Sequence, residues 1–222
     1  MEQLKEEQVL PELSSQLVTI ITTEHYNLQT GRSMTVADAN GRCTLFIGAV
    51  SGALIAIAFT GQVFRMGTAF FVFSLVLLPS LFLMGLITFE RVLQSGIEDL
   101  TYAHGITRIR RLYLESAPQL QPYFLLAADD KSRRPMLKVG IHPSWWQVFL
   151  TTAGMIAAIN SVLVGVFVGL LLSALFTFPL LACTSAGVLT FLVSFGIHQR
   201  YQWGQWSRLE QDLAALIEAR RT

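Results

Sequence analysis

The sequence predicts an all-α integral membrane protein with four transmembrane helices arranged as two hairpins. Amphipathic cytoplasmic helices are expected at the N-terminus, in the central segment and at the C-terminus. Three observations carry the prediction. The 222 residues are 52% hydrophobic and 14% charged, where a soluble domain carries about a quarter charged residues. Formal charge is missing between Met66 and Phe89 and again between Val139 and Gln199, and apolar runs of about 18 or more residues suit a hydrocarbon layer about 30 Å thick. Finally, fifteen of the sixteen Lys and Arg lie in the N-terminal, central and C-terminal segments, leaving only Arg65 in a short connection. By the positive-inside rule those three segments are cytoplasmic and both short turns face out.

In order, the chain divides into a cytoplasmic amphipathic segment (1–43), a first transmembrane hairpin (44–89), a cytoplasmic helical segment (90–144), a second hairpin (145–198) and a C-terminal cytoplasmic helix (199–222). Met1–Thr30 is polar and lacks the early apolar core of a signal peptide. From Glu12 onward Leu13, Leu17, Ile20, Ile21 and Leu28 recur at helical spacing. Gly31 and Gly41 are points where this helix could be interrupted; a longer helix running straight into the membrane is the alternative.

The first membrane helix covers about Thr44–Gly61, and in it Gly48, Gly52 and Ala56 repeat a small residue every fourth position. Small residues let helices approach closely where lipid supplies no hydrophobic driving force between them. After a turn at Gln62–Gly67, the second helix runs to Phe89, with Pro79 near its middle predicting a kink. The central segment reads as helix to Ala117, with a shift of apolar face at Gly105 that predicts a bend or two short helices. Pro118 and Pro122 end it. The third helix opens at Trp145–Trp146, and its small residues Gly154, Ala158, Ser161, Gly165 and Gly169 fall within a wedge of about 80°. The matching stripes predict contact between the first and third helices, or between two copies of the third. The fourth helix spans about Leu180–Ile197, and beyond it Trp206, Leu209, Leu213 and Leu216 follow a short coiled-coil spacing.

Chemistry-bearing patterns are sparse. Ser51 beside Gly52 is misplaced for a G-x-S-x-G elbow. Glu24–His25 and the set Glu98, Asp99 and His104 lack the converging ligands a metal needs. Cys43 and Cys183 read as small apolar residues and imply no disulfide framework. No catalytic residue, cofactor, metal or nucleic-acid partner is expected, and the chain is not read as an enzyme. The absence of Asp, Glu, Lys and Arg inside the apolar stretches argues against a proton-coupled transporter and a voltage sensor. What polarity the membrane helices hold is centred on Asn160 and Ser161, which are expected to make interhelix contacts or to line a pore. Arg108, Arg110 and Arg111 form the densest basic patch on a predicted helix, suited to anionic lipid headgroups or to marking the cytoplasmic side.

The runs Glu24–Thr30, Ala39–Arg42, Val92–Leu100 and Ala158–Gly165 together resemble bacterial four-helix integral membrane proteins of uncharacterised activity. That resemblance implies a multi-pass protein of the plasma (inner) membrane and transfers no substrate or catalytic residue. Two readings of function follow. One is an oligomeric bundle, a homo-oligomer in the bilayer, acting as a channel or small-solute pore with Asn160 and Ser161 near the path. The other is a membrane-anchored signalling or scaffold protein, in a stress or defence response, whose cytoplasmic helices bind a protein partner.

Overall fold

Composition changes from polar to apolar within single helices, not between them. The computed structural model describes residues 15–124, 151–176 and 178–218. In it α1 runs unbroken over Ser15–Val63 and α2 over Thr68–Ser116, 49 residues each, or about 73 Å at the α-helical rise. A 3-10 segment, Pro118–Tyr123, follows, then α3 over Thr152–Leu175 and α4 over Leu180–Glu218. No strand occurs among the described residues. Each of the four helices contains a stretch long and apolar enough to cross a membrane, as a multi-pass membrane protein requires. The pair Trp145–Trp146 lies outside the described residues, so α3 is seen from its N-cap Thr151, whose Oγ1 accepts from the Gly154 N–H at 3.0 Å.

The boundaries expected after residues 43, 89 and 198 therefore fall inside continuous helices. α2 continues through Gly105 without dividing into two short helices, and neither Gly31 nor Gly41 interrupts α1. At Gly31 and Gly105 the physical reason is interhelix packing. A Cβ on Gly105 would sit 2.9 Å from Leu28 Cδ1, and one on Gly31 would sit 3.0 Å from the Tyr102 ring. These glycines make room for a side chain of the partner helix, and that packing offsets their roughly 1 kcal/mol helix penalty. Pro79 is also carried within a continuous helix. Pro118 does act as the sequence suggests: α2 stops at Ser116, and Ala117 caps it by donating to Tyr113 O at 2.8 Å.

α1 and α2 run antiparallel, because Thr22 meets Tyr113, Arg32 meets Asp99 and Gly61 meets Phe70, one number rising as the other falls. The tight turn between them takes Arg65 and Met66 through the left-handed region, at φ 46° and 58°. α3 and α4 are antiparallel by the same test, with Thr151 on Gln202, Ser161 on Ser194 and Gly169 on Cys183. α2 packs on α3 and joins the two pairs.

The bundle buries polar side chains beside an apolar core and keeps an apolar outer face. Ser74, Asn160, Ser161 and Gln202 are fully buried, while Leu45, Phe59, Val72, Leu83, Leu181 and Leu189 stand more than half exposed. A soluble protein does not display apolar surface on that scale; lipid is the solvent that makes it favourable.

α3 and α4 touch backbone to backbone. A Cβ on Gly165 would lie 2.7 Å from Gly187 O, and one on Gly187 would lie 2.8 Å from Gly165 O. Gly165 and Gly169 of the α3 wedge thus pack on α4 and not on α1, the first of the two contacts that the matched stripes predict. A Cβ on Gly48 or Gly52 would meet no atom within 4 Å among the described residues, so both glycines face away from the other described helices. Gly187→Ala is expected to force α3 and α4 apart and cost about 1–3 kcal/mol, whereas Gly48→Ala should cost nothing or stabilise slightly. Unfolding by titration with a denaturing detergent measures both, and equal effects would show that the close approach is not what holds the pair.

Candidate functional site

Ser194, His198, Gln202 and Trp206 are four residues apart and so share one face of α4. Opposite them, α3 presents Thr151, Asn160 and Ser161. The result is a file of polar groups between α2, α3 and α4, buried at Asn160, Ser161, His198 and Gln202 and partly exposed at Thr151, Ser194 and Trp206. Ser161 Oγ donates to Ala157 O at 2.7 Å and stands 3.2 Å from Ser194 Oγ. His198 Nδ1–H donates to Ser194 O at 2.8 Å, which turns Nε2 toward Asn160 Nδ2, 3.5 Å away and at the long limit of a hydrogen bond. The Phe89 ring meets the imidazole edge to face, centroids 4.9 Å apart. Nearer the polar ends of the helices, Gln202 Nε2 donates to Thr151 Oγ1 at 2.9 Å.

Asn160 ties this file to α2. It is fully buried, and its Oδ1 has no hydrogen-bond partner among the described residues. That oxygen is pressed against Gly85 of α2: a Cβ there would collide with Oδ1, would lie 2.7 Å from Asn160 Cγ and would come within 3.0 Å of Phe46 Cε2 on α1. One asparagine thereby reaches α2 and α4 and lies beside α1, and only a glycine on α2 admits it. An unpaired buried acceptor costs about 1–3 kcal/mol, so the junction is held at the expense of stability.

The residues singled out from sequence separate into distinct groups. Asn160 and Ser161 come together at this junction. Gly165 and Gly169 line the α3–α4 contact, Gly154 is buried at the α3 N-terminus and Ala158 is partly buried. Gly48 and Gly52 are exposed and Ala56 partly so, on the outer face of α1. Arg108 lies about 27 Å of helix beyond Glu90, so a headgroup contact there requires α2 to lie down on the bilayer. Arg110 stands 6.0 Å from the Phe124 ring centroid, and Arg111 Nε bonds Glu115 Oε1 at 2.8 Å. Asp99 pairs with Arg32 at 2.7 Å, and His104 Nδ1 lies 2.9 Å from Leu100 O. No group of three metal-ligating side chains occurs among the described residues.

Sequence reasoning misses His198, Gln202, Trp206 and Gly85 as members of the site. The four-residue spacing on α4 is the available signal, but it spans the point where apolar sequence gives way to polar, and polarity there reads as ordinary interface. Gly85 carries no sequence signal, since its role depends on which helix lies across from it. Comparison of the chain with protein-family models, with curated proteins and with solved structures found no match.

Gly85→Ala and Asn160→Ala should each lower bundle stability, the first by expelling the asparagine and the second by emptying its place. Combined, they should cost less than their sum by about 0.5–3 kcal/mol, because the alanine at 85 then meets no oxygen. A double-mutant cycle on detergent-induced unfolding checks this, and strict additivity would refute the contact.

Proposed function

We propose that this chain is a membrane-anchored signalling or scaffold protein. Two hairpins hold it in a bacterial plasma membrane with both termini cytoplasmic, and the polar continuations of α1, α2 and α4 form a stalk that binds a cytoplasmic protein partner. The observation that carries this reading is the unbroken passage of α1 and α2 out of the apolar region. Ser15–Gly41 alone amounts to about 40 Å of helix, braced against α2 by the Thr22–Tyr113 contact and the Arg32–Asp99 pair. A rigid helix pair transmits a displacement at one end to the other. The stalk also keeps apolar surface open: Tyr26 and Met34 are 63% and 67% exposed on a shallow groove with Gln29, Thr30, Ser33 and Ala37. Exposed apolar groups outside the bilayer suit a protein partner.

The burial of Asn160 and Ser161 within one chain supports the same reading, because neither faces an open path. The second reading, an oligomeric channel, is favoured by the open Gly48–Gly52 face of α1, which leaves room for another copy to approach closely.

Two measurements separate them. Reconstituted wild type should pass no more K⁺ or small solute than empty liposomes, with Asn160→Leu indistinguishable from it; flux that Asn160→Leu removes would establish the channel instead. Tyr26→Asp combined with Met34→Asp should fail to complement a deletion of the gene while leaving membrane insertion intact, and full complementation would count against a stalk partner.

A further inference from the structure

Where the stalk joins the bundle, α1, α2, the start of α3 and α4 surround a cleft of about 410 Å³, within the size range of small-ligand sites. Its level along the molecule is set by the charges that end the apolar stretches. Arg42 and Glu90 mark that edge on α1 and α2, and the lining residues Arg32 and Asp99 lie about 15 Å of helix beyond it. The cleft therefore begins at the headgroup layer, where Asn40 and Val92 line it, and extends outward past that layer, about 5–8 Å deep on each side, to Arg32 and Asp99.

We propose that this cleft binds a phosphoethanolamine group, a phosphate joined to a primary ammonium, as carried by the phospholipid headgroup. Its charge is the first argument. Among the described residues the lining holds one cation, Arg32, and one anion, Asp99, so it matches a zwitterion better than a net anion. Arg32 gives Nε and Nη2 to Asp99, at 2.7 and 3.3 Å, and keeps other N–H donors for a phosphate, while the carboxylate keeps lone pairs for an ammonium.

The second argument is independent of charge. Gln202 lines the cleft at 0% exposure with Oε1 lacking any partner among the described residues, and Trp206 lines it with Nε1–H equally unsatisfied. One is an acceptor seeking a donor and the other a donor seeking an acceptor, the two complements an ammonium and a phosphate supply. Gly96 makes the place for the indole: a Cβ there would be 3.3 Å from Trp206 Cη2. Neither orphan atom touches solvent in the unliganded chain, so binding requires these two side chains to part as the ligand enters. Val36 and Leu93 complete the wall with apolar surface, suited to the glycerol and upper acyl carbons. The site stands apart from the stalk-partner reading, since it uses neither Tyr26 nor Met34.

The test is native mass spectrometry of the full chain in detergent, titrated with phosphatidylethanolamine, phosphatidylcholine and phosphatidylglycerol. Ethanolamine lipid should bind about tenfold more tightly than the other two, because choline offers no N–H and glycerol no cation. Trp206→Phe keeps an aromatic ring and removes the donor; Gln202→Leu keeps the bulk and removes the acceptor. Gln202→Leu should erase most of the preference, and Trp206→Phe should weaken all three lipids alike, in protein whose unfolding midpoint and elution are unchanged; if Gln202→Leu fails to fold, Asp99→Asn, which removes the other partner of the ammonium, decides. Competition by free phosphoethanolamine at millimolar concentration would assign the soluble zwitterion as the source, and its failure to compete would assign the lipid. Equal binding of the three lipids, an unaltered preference in folded Gln202→Leu or Asp99→Asn, or unaltered affinities in folded Trp206→Phe, would overturn the proposal.

Discussion

Gly165 and Gly187 approach until the backbone of one helix lies on the backbone of the other, and the register of the second helix pair follows from that contact. With α3 and α4 pinned there, Ser194 falls beside Ser161, His198 beside Asn160 and Gln202 beside Thr151. In lipid the hydrophobic effect does not drive helices together, so the free energy of association comes from van der Waals contact and interhelix hydrogen bonds. Both depend on distance. A methyl group in the glycine contact separates the helices, and each polar pair further along the interface lengthens with it.

Asn160 then connects the α3–α4 pair to α1 and α2. Its side chain enters the space left by Gly85, beside Phe46, so the same residue that reaches toward His198 also fixes how far α2 stands from α3. The arrangement inverts a soluble core in part. Fully buried amide and hydroxyl groups share the centre with Phe46, Leu78, Leu93 and Ile156, while other leucine, valine and phenylalanine side chains face outward, because in hydrocarbon an unpaired polar group is the costly one to leave on the surface. The orphaned Asn160 Oδ1 and Ser74 Oγ are the part of that inversion left incomplete.

Much of this is legible in the chain. The apolar stretches locate four membrane-length helices, because length and absence of charge are properties of a segment by itself. Asn160 and Ser161 stand out as rare polar groups in an apolar run. The glycine wedge of α3 is visible as a packing surface, but its partner is not: the stripe on α1 looks equally suitable, yet Gly48 and Gly52 face open space. In isolation Gly31 and Gly105 read as breaks, since a glycine lowers helix propensity. Across from Tyr102 and Leu28 they are instead points of close fit between α1 and α2.

The sequence by itself determined the solvent of each segment, since partition between water and lipid sums over side chains and does not depend on neighbours. It also determined where helix must stop, as α2 does before Pro118. Only the tertiary structure decided that the apolar and polar stretches of α1 and α2 form continuous helices, that α3 gives Gly165 and Gly169 to α4, and that Gln202, Trp206, Arg32 and Asp99 converge on one cleft. Those outcomes turn on which faces of antiparallel helices meet, and a face that suits several partners acquires one only when the register between helices is set.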